Sequence, residues 1–84
     1  MSYTKVLDVK HLRSLIEGGN NDFFICLCGG FRSSKRICLD ENDNFEVINE
    51  IDDSEDVFTE SELFDRAKTN IGFALNHGAL YAYD

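Results

Sequence analysis

Carboxylates dominate the residues of this chain that could do chemistry. Asp40, Glu41, Asp43, Glu46, Glu50, Asp52, Asp53, Glu55, Asp56, Glu60, Glu62 and Asp65 fall in one stretch of 26 residues that holds no Lys, Arg or His. Hard cations take oxygen ligands at alternating loop positions, so Asp40-Glu41-Asn42-Asp43-Asn44 and Asp52-Asp53-Ser54-Glu55-Asp56 both raise calcium. Neither completes the pattern, which needs Gly at the sixth position and a bidentate Glu at the twelfth. Counted from Asp40 those positions hold Phe45 and Ile51, and counted from Asp52 they hold Val57 and Leu63. No metal and no cofactor is expected. What the run does supply is a negative field that governs which surfaces approach. Duplex DNA carries one charge per ~1.7 Å of helix axis, so carboxylates along a folded hairpin and helix imitate its phosphate track. Phe58, Leu63 and Phe64 within the run argue that it is folded. The competing reading is a solvated face that keeps a small protein soluble.

A second cluster, Gly29-Gly30-Phe31-Arg32-Ser33-Ser34-Lys35-Arg36, has the composition of an anion site. Glycines allow backbone N–H groups to converge, while hydroxyls and three cations add donors for phosphate or carboxylate. It lacks the spacing of a P-loop, and a connection between strands needs glycine and polar residues in any case. Gly30, Arg32 and Ser33 are similar to the active-site loop of rhodanese-like sulfurtransferases. That alignment, however, puts Leu27 where the nucleophilic Cys stands, and the chain is too short for the doubly wound domain. Cys26, Cys28 and Cys38 form an odd set that reads as small structural hydrophobes with reduced thiols. His11 and His77 are too few for a metal centre. His11 reads as a solvent-facing helical residue, and His77, just ahead of Gly78, as a group that favours a helix C-terminus. No Ser-His-acid order is present, and no enzyme is expected.

Composition bounds the remaining choices. The 84 residues suit one domain, 1–84, and the 43% apolar content with seven Phe and three Tyr is too rich for a disordered acidic tail. The margin of so small a core is thin, so a homodimer or a bound partner is a natural supplement. A net charge of −8 disfavours nucleic acid and anionic membranes as direct ligands and favours a protein with a basic surface. No charged start leads into an apolar signal stretch, and no run approaches the ~18 apolar residues of a membrane helix, so a reducing cytoplasm is expected.

Elements must position these groups. Asp8 can cap a helix whose Val9, Leu12, Leu15 and Ile16 follow i, i+3, i+4 spacing, with Gly18-Gly19 as its stop; the spacing predicts a helix over residues 9–18. Phe23 to Cys28 is continuously apolar between polar and glycine punctuation, as a strand buried on both faces would be. Lys35 to Leu39 and Phe45 to Ile51 flank a turn-rich segment and read as a hairpin. Thr59 with Glu62 three residues on is a capping box for a helix beginning near Glu60. Thr69-Asn70 opens either a second helical piece ending at Gly78 or the remainder of one broken helix. Aromatic-rich Ala79 to Tyr83 predicts a short terminal strand. The expected fold is α+β: a small antiparallel three- or four-stranded sheet with two or three helices packed on one face.

As a whole, with Asp22 to Lys35 carrying the impression, the chain resembles short acidic proteins of bacteria, phages and mobile elements, a likeness that brings no activity with it. The functional expectation is a non-enzymatic protein that binds a macromolecule through its acidic run, for instance as a nucleic-acid-mimicking inhibitor such as a phage antagonist of a host defence nuclease. The alternative is a small anion- or nucleotide-binding module built on Gly29 to Arg36.

Overall fold

A computed structural model of the chain describes residues 2–26, 30–65, 67 and 69–83. The order is β1 (Tyr3–Lys5), α1 (Val9–Glu17), β2 (Asp22–Cys26), β3 (Arg32–Leu39), β4 (Phe45–Asn49), β5 (Glu55–Phe58), α2 (Glu60–Phe64), α3 (Asn70–Asn76) and β6 (Leu80–Tyr83). The strands form a single six-stranded sheet, ordered β1-β6-β2-β3-β4-β5, in which every pairing is antiparallel.

The fold is α+β, but the expected three or four strands are six. Two were missed. β1 is only three residues long, and β5 reads Glu-Asp-Val-Phe, acidic residues that β propensity disfavours. Both are edge strands, where charge is tolerated because one side of the strand and one face meet water. The terminal strand also takes an unexpected place: β6 inserts between β1 and β2. Strands β2 to β5 form a meander. β1 and β2 run in the same direction on either side of β6, so the chain between them must cross the sheet, and α1 makes that crossing. β5 and β6 also point the same way from distant parts of the sheet, and α2 and α3 span that gap.

Local signals set the helix ends. The Asp8 carboxylate accepts from the His11 N–H at 2.8 Å, and Gly19, at φ +97°, turns the chain after α1. Thr59 and Glu62 complete their capping box: Glu62 N–H donates to the Thr59 hydroxyl and Thr59 N–H to the Glu62 carboxylate. Thr69 caps α3, which is separate from α2. Its buried hydroxyl accepts from the Gly72 N–H at 2.8 Å and donates to the Leu63 carbonyl at 2.9 Å, tying the two helices together.

Residues paired across the sheet share a face, so register sorts the strands into two sides. Phe23, Ile25, Ile37, Phe45, Val47, Leu80 and Ala82 face one way and form a single core with Leu12 and Ile16 of α1, Leu63 of α2, and Ile71, Ala74 and Leu75 of α3. All three helices therefore lie on that face. On the other face Phe24 is covered by aromatic rings and one guanidinium. Its centroid lies 5.2 Å from Tyr81 in a stack, 4.6 Å from Tyr83, and 5.7 Å from the edge-on Tyr3. The Arg32 guanidinium sits 4.6 Å above the same ring. Phe24 is thus only 1% exposed on a side with no helix, and β2 is buried on both faces as its apolar run implied.

Gly72 is where α2 and α3 meet most closely. A Cβ there would lie 2.6 Å from the Leu63 carbonyl oxygen and 3.0 Å from the Phe64 carbonyl carbon, all backbone that cannot rotate away. Gly72→Ala gains about 1 kcal/mol of helix propensity, but the overpacking costs about 1–3 kcal/mol. The clash should win, so urea unfolding should show a lower midpoint for the variant. A raised midpoint would mean that the two helices can separate freely.

Candidate functional site

Strand geometry divides the glycine-containing segment. Gly29 lies outside the described residues, and Gly30 is a turn residue at φ +83°. From Arg32 on, the chain is β3 rather than a loop, so successive side chains leave on opposite faces. Arg32, Ser34 and Arg36 point to the helix-free face; Ser33 and Lys35 point toward the helices. The donors do not converge on one anion. Arg32 stacks on Phe24 and Tyr3, while Arg36 approaches Asp22 at 3.9 Å and Glu50 at 3.8 Å. Lys35 is 9% exposed and lines a cavity between the sheet and α3.

The acidic residues also separate into groups with different tasks. At the β3–β4 turn the Asp40 carboxylate accepts from the N–H groups of Asn42 and Asn44, both at 2.9 Å, which fixes the loop. Asp43 and Glu60 flank Arg13 of α1. The guanidinium bonds Glu60 at 3.1 Å, lies 3.9 Å from the Asp43 carboxylate, and covers the Phe45 ring at 4.8 Å. Glu62 is committed to its capping box. Glu41 is exposed on the same turn. Asp40, Asp43, Glu60 and Glu62 thus hold the fold locally, as turns, caps and ion pairs do.

The other end of β4 differs. Glu50 shares Arg36, and Asp52 and Asp53 form the β4–β5 turn, with Asp53 at φ +57°. Asp52 accepts from the Ser54 N–H at 3.0 Å, and hydrogen bonds from the Ser54 hydroxyl and backbone hold its carboxyl below the ordinary 3.8. On the helix-free face Glu46 and Glu55 are diagonal neighbours, because Glu46 pairs with Val57 and Ile48 with Glu55. A hydrogen bond from one carboxyl to the other raises Glu46 above the ordinary 4.5, with like-charge repulsion from Glu55 adding to it. Val57, directly opposite Glu46, is 53% exposed, and Ile51 in the turn is 77% exposed. Asp56 points the other way, to the mouth of the Lys35 cavity. The expected single acidic face is therefore a sheet edge bearing acids on both sides, with Glu46, Glu55, Asp53 and Asp56 in no ion pair among the described residues.

Cys26 and Cys38 are free and lie on the helix-free face; Cys28 falls outside the described residues. Burial, then the charge of Glu46, raises the Cys38 thiol above 9.0, so it stays protonated at neutral pH. His11 is half-buried, its Nδ1 accepting from the Leu7 N–H at 3.0 Å. His77 lies at the C-cap of α3, its Nδ1–H donating to the Phe73 carbonyl at 2.9 Å and its ring stacked on Phe73. Among the described residues no three His, Cys, Asp or Glu groups converge to hold a metal ion. No described helix is long and apolar enough to cross a membrane.

The Glu46–Glu55 contact has a defined pH signature. A carboxyl whose folded pKa is raised contributes stability that is fully present below the unfolded value and lost as pH rises through the folded one. Asp52, held low, has the opposite sign, and its contribution disappears as pH falls through its folded value. In Glu55→Gln, carboxyl NMR should show Glu46 titrating lower, and the loss of stability as pH rises above the ordinary 4.5 should shrink. An unchanged Glu46 titration would show that the two carboxyls do not interact.

Compared with protein-family models, with curated proteins and with solved structures, the chain matches none.

Proposed function

We propose that the protein is a non-enzymatic binding protein which presents the β4–β5 edge of its sheet to a partner with a basic surface. The observation that carries this reading is the pair Glu46–Glu55 on a helix-free sheet face beside exposed Val57. The two acids are diagonal neighbours on adjacent strands, and their hydrogen bond together with their mutual repulsion raises Glu46, so a Lys or Arg placed beside them would meet both carboxylates and relieve that repulsion. Apolar surface within a charged rim is the usual anatomy of a docking patch, because the apolar centre excludes water and the charges set partner choice.

Acids at the β4–β5 turn extend this field along the edge strand, which suits a groove made for a phosphate backbone. The specific role we favour is inhibition of a nucleic-acid-binding protein by mimicry, as a phage-encoded antagonist of a defence nuclease would do. Asp40, Asp43, Glu60 and Glu62 are less available for this role, since each is engaged by a turn, a cap or Arg13. The contact therefore centres on Glu46, Glu55 and Asp53, a narrower patch than the whole acidic run.

Affinity capture from host extract, followed by binding measurements on the captured protein, tests the proposal. Binding should weaken steeply with salt and should compete with duplex DNA. Glu46→Lys with Glu55→Lys should weaken it by about tenfold or more, while Glu17→Lys on the exposed end of α1 should change it little. Neither reversal touches a cap or a turn. A partner that tolerates the double reversal, or binds equally well in high salt, would refute the reading.

A further inference from the structure

Lys35 is the most deeply buried charged residue among the described residues, and its ammonium forms no hydrogen bond or ion pair with another described side chain. No buried side-chain nitrogen or oxygen among the described residues lacks a hydrogen-bond partner, so the stem of Lys35 is packed while its ammonium still reaches water. It does so in a cavity of about 250 Å³ between β3, β4, β5 and the start of α3, which Lys35 lines. At ~30 Å³ per water, that space holds about eight waters, or a solute with a similar number of heavy atoms.

The walls differ in character. Lys35 and Asn49 face each other directly across the β3–β4 pair, while Asp56 stands on β5 opposite Val47. Cation and carboxylate thus lie two strands apart and two residues offset on the same face, about 12 Å between backbones. Both residues line one cavity, and no ion pair within 4 Å joins them. Val47, Phe58 and Ile71 supply an apolar wall.

From this arrangement we infer that the cavity is a binding site for a small zwitterion of the apolar amino-acid type. Its carboxylate would meet Lys35, its ammonium Asp56, and its side chain the wall formed by Val47, Phe58 and Ile71. Phosphate fits poorly. A dianion would sit beside Asp56 and close to Asp52, whose carboxyl is held ionised chiefly by Ser54 and, to a lesser degree, by Lys35 itself. An uncharged apolar solute would displace the water that solvates Lys35 and offer the ammonium nothing in return. A zwitterion answers both charges, and the amide of Asn49 between them can donate to its carboxylate. The site is separate from the Glu46–Glu55 patch, which occupies the opposite face of the same strands, so neither proposal depends on the other.

The test uses the full chain, with leucine, N-acetyl-leucine, leucinamide and sodium phosphate as probes followed by NMR shifts of Asn49, Ser54 and Ile71 amides. Leucine should produce saturable shifts at these positions. N-acetyl-leucine, which lacks the ammonium, and leucinamide, which lacks the carboxylate, should each bind at least about tenfold more weakly. Lys35→Met, matched in length and freed of charge, should abolish the leucine response. Asp56→Asn, at an exposed position, should erase the preference for leucine over N-acetyl-leucine. The probe series on the unaltered protein needs no variant to fold. Absence of saturable shifts with leucine, equal binding of N-acetyl-leucine, a stronger response to phosphate, or a leucine response that survives Lys35→Met would each overturn the proposal.

Discussion

Burial of β2 on both faces is the constraint around which this small protein is arranged. Phe23 and Ile25 point into the helical layer, but the chain has only one such layer, and Phe24 points away from it. A phenylalanine side chain left in water would forgo about 2–3 kcal/mol. The remedy is β6, inserted between β1 and β2 so that Tyr81 and Tyr83 flank Phe24, with Tyr3 of β1 and Arg32 of β3 closing the cluster. Aromatic pairs in stacked or edge-on geometry add about 0.5–1.5 kcal/mol each beyond area. Four rings and one guanidinium thus replace a second layer of helices.

That solution places everything else. With β6 and β1 occupying one side of β2, the β3–β4–β5 meander must grow on the other, and β5 becomes the far edge. An edge strand can carry Glu55 and Asp56 where an inner strand could not, and charge there also discourages pairing with a second sheet. The aromatic cluster and the acids consequently sit at opposite sides of one helix-free face, with the cations Arg32 and Arg36 between them on β3. Charge is sorted by strand position, even though net charge describes the chain as uniformly acidic.

Helices feel the same constraint. Because β1 and β2 run the same way, as do β5 and β6, both crossings must lie over the sheet, and register puts them on the face where Ile37, Phe45 and Val47 wait for cover. α2 and α3 are too short to be stable alone, so their caps and the close approach at Gly72 bind them into one packing unit. Between α3 and the meander this packing leaves the cavity that Lys35 enters.

Local chemistry was legible in the sequence. Asp8, the Thr59–Glu62 box and Thr69 marked helix starts, because a side-chain oxygen three residues ahead of an N–H acts within a single turn and needs nothing distant. The apolar run at Phe23 announced two-sided burial, and the turn residues Asp40 to Asn44 announced the hairpin. Beyond that range only tertiary structure decided. A strand as short as Tyr3–Lys5, or as polar as Glu55–Phe58, exists because a neighbour supplies its hydrogen bonds. Which acids would be spent on caps, which would pair with Arg13, and which would crowd as Glu46 and Glu55 do was set by strand order, which local patterning does not encode. Lys35 shows the limit most clearly: its neighbours in the chain suggested a loop gathering cations, whereas the two-residue period of β3 sent it alone to the buried face, where its surroundings come from residues 12 to 36 positions away.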